Sequence, residues 1–252
     1  MIEVRGVTKR YGSATVVDDV TLDVADGGLV ALIGPNGAGK STLLSIMSRL
    51  LPADAGTVLV DGLDVATTRS DVLARRLAIL RQDAHVGSRL TVRDLVTFGR
   101  YPHSKGRYTL EDRGHVERAL EFLDLHPLAD RFLDELSGGQ RQRAFVAMVL
   151  CQDTDHVLLD EPLNNLDLKH AVAMMRLLRR ATDELGKTVV VVLHDINVAS
   201  CWSDRIVAMK DGRVAHDGAP ADVVRPEVLS DVYELDVAVH ELDGQLIGTY
   251  YR

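Results

Sequence analysis

The apolar run Leu29-Val30-Ala31-Leu32-Ile33 passes without a break into Gly34-Pro35-Asn36-Gly37-Ala38-Gly39-Lys40-Ser41-Thr42. This is the string G-x-x-x-x-G-K-[ST], and it admits one local architecture: a buried strand, a glycine-rich loop and a helix. Gly34, Gly37 and Gly39 let backbone N–H groups turn inward around phosphate oxygens, and the following helix adds its positive N-terminal end. Lys40 is the expected ligand of the β- and γ-phosphates, and Ser41 of Mg²⁺. A glycine turn alone would leave Lys40 unexplained. The whole segment from Gly34 to Thr42 is therefore the expected cradle for ATP.

The rest of the chain supports an α/β core around that loop. Strand-like runs occur at Ile2 to Val7, Val16 to Val24, Gly56 to Asp61 and Leu77 to Leu80, and a helix is expected from Lys40 to Leu50, ended by Pro52. Between 92 and 148 the strand runs vanish, and Glu117 to Leu125 and Ser137 to Leu150 show helical spacing. We read that stretch as a helical insert within one catalytic domain spanning 1–252, whose nucleotide-binding core is 1–91 and 149–252. Strand and helix then alternate through Val157 to Asp160, Lys169 to Leu185, Thr188 to Leu193 and Ile206 to Lys210, the rhythm of a parallel sheet with crossover helices. The tail predicts a helix at Pro226 to Tyr233 and two alternating segments, Val237 to Leu242 and Gln245 to Tyr251.

Composition narrows the partners. With 46% hydrophobic and 26% charged residues in 252, the chain reads as globular rather than disordered. A formal charge of −8 offers no electrostatic footprint for nucleic acid, so none is expected as a partner. The longest apolar stretch, around Val189 to Leu193, falls far below the roughly 18 residues that span a bilayer. Any membrane crossing must then come from other subunits. The start, Met1-Ile2-Glu3-Val4-Arg5, lacks an export signal, and Cys151 and Cys201 show no metal-ligand spacing, both in keeping with a cytoplasmic protein.

Further candidates lie downstream of the loop. Asp160 and Glu161 end an apolar run, at the strand edge where α/β sheets collect ligand. Asp160 is the expected Mg²⁺ ligand, directly or through water, and Glu161 the general base for the attacking water. His194 closes a strand and is assigned to the γ-phosphate. Gln82 follows another strand at the border of the insert, where it can sense Mg²⁺ or water. Tyr11 is the candidate for stacking on adenine. Ser137-Gly138-Gly139-Gln140 precedes a helix, with Ser137 as N-cap and two glycines baring N–H groups for an anion.

These segments together resemble the ATPase subunits of ABC importers over essentially the whole chain. Leu136-Ser137-Gly138-Gly139-Gln140 is the segment that sets this family apart from other phosphate-loop proteins. Within it, Leu95 to His103, Asp160 to His170, Leu193 to Asn197 and Met209 to Gly212 resemble the iron–siderophore branch. The resemblance implies an ABC-type fold with a parallel-sheet core, an antiparallel β subdomain and the helical insert. It also implies a homodimer closed through ATP, in which Ser137, Gly138, Gly139 and Gln140 meet the γ-phosphate held by the opposite protomer and Asp167 lies in a loop that crosses the interface. Two membrane-spanning permease subunits and, indirectly, a substrate-binding protein complete the implied assembly, with this chain at the cytoplasmic face of the membrane. Most relatives carry Ser where this chain has Asn164. Haem, cobalamin or another metal chelate are the alternative cargoes. A soluble ATPase acting on DNA or the ribosome is the remote alternative, because neither long heptad inserts nor a tandem domain is present.

Overall fold

A computed structural model describes residues 1–82 and 89–250. The chain divides into two compact units, one of residues 1–68 with 188–252 and the other of residues 69–187.

The first unit opens with strands β1 (Ile2–Tyr11) and β2 (Ala14–Val24), joined in a hairpin, followed by β3 (Gly28–Ile33), helix α1 (Lys40–Met47), β4 (Ala55–Val60) and the short β5 (Leu63–Asp64). Period-two burial along β1 and β2 places Ile2, Val4, Val17, Val20, Leu22 and Val24 in the core. These strands form the antiparallel sheet β2-β1-β4-β5. By contrast, β3 is buried along nearly its whole length, the signature of a strand covered on both faces. Helix α1 stops at Met47, short of the expected Leu50. The Ser48 hydroxyl donates back to the carbonyls of Leu44 and Ser45, and Arg49 turns to φ 60°.

The second unit runs through α2 (Ser70–Leu73), β6 (Leu77–Leu80), α3 (Val92–Phe98), α4 (Tyr101–Ser104), α5 (Leu110–Phe122), α6 (Gly138–Cys151), β7 (His156–Leu159) and α7 (Leu168–Asp183). It is wider than the expected insert because β6 and β7 pair in parallel, Leu77 opposite His156 through Leu80 opposite Leu159, and hold α6 and α7 with them. Helix α5 begins seven residues before Glu117, the expected start. Thr109 and Asp112 form a reciprocal capping box at its N-terminus. Asp112 also meets Arg100, Nε to Oδ1 at 3.0 Å, as an ion pair with side chains only 6% and 5% exposed.

The chain then returns to the first unit with β8 (Thr188–Val192), α8 (Ile196–Trp202), β9 (Arg205–Lys210), β10 (Arg213–Gly218), α9 (Pro220–Val223), α10 (Pro226–Tyr233) and the hairpin β11 (Ala238–Leu242) and β12 (Gln245–Thr249). β3 lies between β8 and β9, parallel to both, and β10 pairs antiparallel with β9. Thus the strand that feeds the glycine loop is flanked on each side, and its C-terminal edge is fixed in register with β8. Among the described residues, no helix is long and apolar enough to cross a membrane.

Candidate nucleotide site

In the first unit the loop from Gly34 to Gly39 leaves the end of β3 and enters α1. Gly34 stands at φ 139°, and a Cβ there would lie 2.1 Å from the Met209 carbonyl oxygen. Gly39, the N-cap of α1 at φ 94°, would place a Cβ 2.4 Å from the carbonyl of Val16. Both positions therefore exclude any side chain, by contact as well as by backbone angle. The Ala38 N–H closes the turn on the Pro35 carbonyl at 3.2 Å, while Asn36 and Gly37 are exposed.

Lys40 is buried, and its Nζ donates to the carbonyls of Gly34 at 2.8 Å and Pro35 at 2.9 Å. A buried ammonium needs such partners. Ser41 and Thr42 follow on the first turn of α1, half-buried. No acidic residue occupies that turn, so the positive end of the helix carries no carboxylate of its own. His194 leaves β8 at the same sheet edge. Leu32 pairs with Val192, the Leu193 N–H donates to the Leu32 carbonyl at 3.1 Å, and His194 is exposed. Tyr11 sits at the exposed tip of the β1–β2 hairpin with Lys9 Nζ 5.8 Å from its ring centroid. The hairpin reaches the loop at Val16 rather than through Tyr11.

The second unit carries the acids. Asp160 follows the fully buried β7 and is itself buried, its N–H donating to the Leu80 carbonyl at 2.9 Å. Glu161 adopts φ 49°, in the left-handed region, and its Oε2 accepts a hydrogen bond from Gln82 Nε2 at 2.8 Å. Parallel pairing of β6 and β7 brings these two together, since Gln82 and Glu161 each stand two residues beyond the last paired positions, Leu80 and Leu159.

Ser137 caps α6 in a reciprocal box: its Oγ accepts from the Gln140 N–H at 3.3 Å, and Gln140 Oε1 accepts from the Ser137 N–H at 3.0 Å. Like α1, α6 has no acid in its first turn. Asp167 caps α7, accepting from the His170 N–H at 2.9 Å and meeting His170 Nδ1 at 2.7 Å. That backbone bond, aided by the imidazole, holds the Asp167 carboxyl below its usual range. The His170 ring lies where a Cβ on Gly139 would fall, 2.6 Å away. The sequence pattern points to N–H exposure at Gly138 and Gly139 and to no role for His170. The missing side chain at Gly139 was the only signal.

Both cysteines are free. Cys151 is buried, and burial pushes its thiol up to about 12, whereas Cys201 is half-buried. Arg179 and Arg180 on α7 form (i, i+4) ion pairs with Asp183 and Glu184, and Arg75 and Arg76 lie in the turn after α2.

Residues 17–164 match the ABC transporter family model. The chain belongs to the ABC transporter family. Among its ABC relatives, the petrobactin import ATP-binding protein YclP of Bacillus subtilis (strain 168) is 49% identical over 251 residues, covering 100% of both chains. FatE of Bacillus anthracis, also a petrobactin import ATP-binding protein, is 50% identical over 95% of this chain and 96% of its own. The ferric enterobactin transport ATP-binding protein FepC of Escherichia coli (strain K12) is 40% identical over 96% and 90%. Of solved structures, the dimeric bacterial ABC transporter cassette MJ0796 aligns with a TM-score of 0.77 at 33% identity, covering 87% of this chain and 99% of that one. The fold is that of an ABC ATPase.

Proposed function

We propose that this chain is the ATP-hydrolysing subunit of an ABC importer for ferric siderophores. The observation that carries the cargo is identity of 49% and 50%, over nearly full length, to two proteins named for petrobactin import. Deleting the gene should abolish uptake of radioiron-labelled petrobactin and spare ferrous iron uptake. Unchanged siderophore uptake, with no second ATPase compensating, returns the cargo to haem, cobalamin or another chelate.

The hydrolysis is an in-line attack of water on the γ-phosphorus, a reaction governed by positioning and charge neutralisation. Lys40 takes the phosphates from its seat on the carbonyls of Gly34 and Pro35, while Gly34 to Thr42 supply the cradle. Glu161 accepts the proton of the attacking water, and Gln82 holds one of its carboxylate oxygens. His194 contacts the γ-phosphate, and Tyr11 stacks on adenine. Ser41, Asp160 and Gln82 would hold Mg²⁺, because a hydroxyl, a carboxylate and an amide oxygen are the hard donors suited to that ion. That ion would neutralise charge on the β- and γ-phosphate oxygens. Ser137, Gly138, Gly139 and Gln140 serve the γ-phosphate of a second copy, and Asp167 serves the contact between copies.

The partners follow from that reading: a homodimer closed through ATP, on the cytoplasmic side of two permease subunits that receive cargo from a substrate-binding protein. The segment from Phe98 to Arg107 would carry the permease contact. Phe98 and Tyr101 are exposed there, at 50% and 61%, beside Pro102. Exposed aromatics beside a proline that fixes the first turn of a helix are suitable anchors for a partner helix. Tyr101→Ala should accordingly lower transport more than basal ATP hydrolysis.

A further inference from the structure

Gly34, the first residue past β3, has both of its backbone polar groups committed. Its N–H donates to the Tyr233 hydroxyl at 3.1 Å, and its carbonyl accepts from Lys40 Nζ at 2.8 Å. With Met209 occupying the space where a Cβ would be, the residue is held on three sides. Tyr233 ends α10, a helix anchored by the buried Val228, Leu229 and Val232. It lies 199 residues from Gly34 in sequence, in a tail to which the phosphate loop chemistry assigns nothing.

The same tail grips the segment that follows His194. Asn197 on α8 exchanges two hydrogen bonds with Gly248 on β12, Nδ2 to the carbonyl at 3.2 Å and the Gly248 N–H to Oδ1 at 2.7 Å. The Ser200 hydroxyl donates to the Leu246 carbonyl at 2.7 Å. Burial pushes the Tyr233 phenol up to about 12, so it remains protonated across the physiological range.

We propose that Tyr233 is a positioning residue for the phosphate loop, acting through Gly34 to hold the carbonyl on which Lys40 rests. A bare N–H at the foot of the loop would let the peptide rotate, and Lys40 would lose its reference point. The proposal rests on the reading of Lys40 as the phosphate ligand.

Tyr233→Phe tests it, because the ring and its packing stay and only the acceptor oxygen goes. Leaving one amide unpaired should raise the KM for MgATP, and the Kd of a fluorescent ATP analogue, by about fivefold to tenfold. The rise in KM should exceed any fall in kcat, and Tm should fall by no more than about 5 °C, the shift that roughly 1 kcal/mol gives in a chain of this size. An unchanged KM would overturn the proposal. So would a fall in Tm with KM and Kd unchanged, the result expected of a packing residue. Lys40→Ala is measured alongside: undiminished nucleotide binding in that variant removes the underlying reading, whereas lost binding there with a normal KM in Tyr233→Phe sinks only the role of Tyr233.

Discussion

Gln82 Nε2 donates to Glu161 Oε2 at 2.8 Å, so the residue that ends one strand edge steadies the carboxylate that ends its neighbour. If Glu161 is the base, Glu161→Gln keeps the shape and loses the proton acceptor. Its kcat should fall by about a hundredfold or more, the usual worth of general base catalysis, with ATP binding retained. Gln82→Ala should lower kcat by roughly tenfold through a misaligned carboxylate. Phosphate release and nucleotide titration read both; near-normal hydrolysis by Glu161→Gln would remove the assignment.

Gly139 lies against the His170 ring with no room for a methyl group. Gly139→Ala should destabilise the protein by about 1–3 kcal/mol, the range for overpacking, despite the better helix propensity of Ala. His170→Ala in the same chain should restore at least half of that loss in chemical denaturation. Additive losses in the double variant would show that the contact is not the cause.

The buried pair Arg100 and Asp112 gives a pH signature. Burial raises the Asp112 carboxyl, but the Thr109 backbone bond and the Arg100 guanidinium outweigh it and leave it below its usual value. A folded-state pKa below the unfolded one stabilises fully above about pH 4, and the gain is lost as pH falls through the lowered value. Arg100→Met should cost about 3–5 kcal/mol at pH 7 by stranding the carboxylate. The deficit should narrow as the pH drops below 4, where that carboxyl protonates. A deficit independent of pH in urea titrations would contradict the account.

Mixed dimers test whether Gly138 serves the opposite copy. Pairing a Lys40→Ala chain with a Gly138→Asp chain leaves one composite site whole and the other doubly broken, so about half of the ATP-binding capacity should survive. A site built within one chain would lose function in both copies, and no bound ATP would remain.

Much of this was legible from local chemistry. The phosphate loop required its strand and helix, and the Pro226 to Tyr233 helix appears with the expected bounds because proline favours the first turn. Boundaries failed where capping decides them: α5 starts at the Thr109 and Asp112 box, which periodicity does not register, and α1 ends before Leu50 although apolar spacing continues. Strand β10 went unread because its alternation is short and polar. The contacts of Tyr233 with Gly34 and of His170 with Gly139 join positions far apart in sequence, where no local pattern points to the partner.

Glu161 stands at φ 49°, a conformation that costs a residue with a Cβ about 1–2 kcal/mol. The fold would therefore be better off with glycine there. Glu161→Gly should melt higher than the parent protein while hydrolysing no ATP, and calorimetry beside an activity assay would display the two changes in opposite directions. If Glu161 is the base, thermal robustness and turnover are set against each other at one backbone angle, so selection for heat tolerance alone would drift toward a well-folded, idle enzyme.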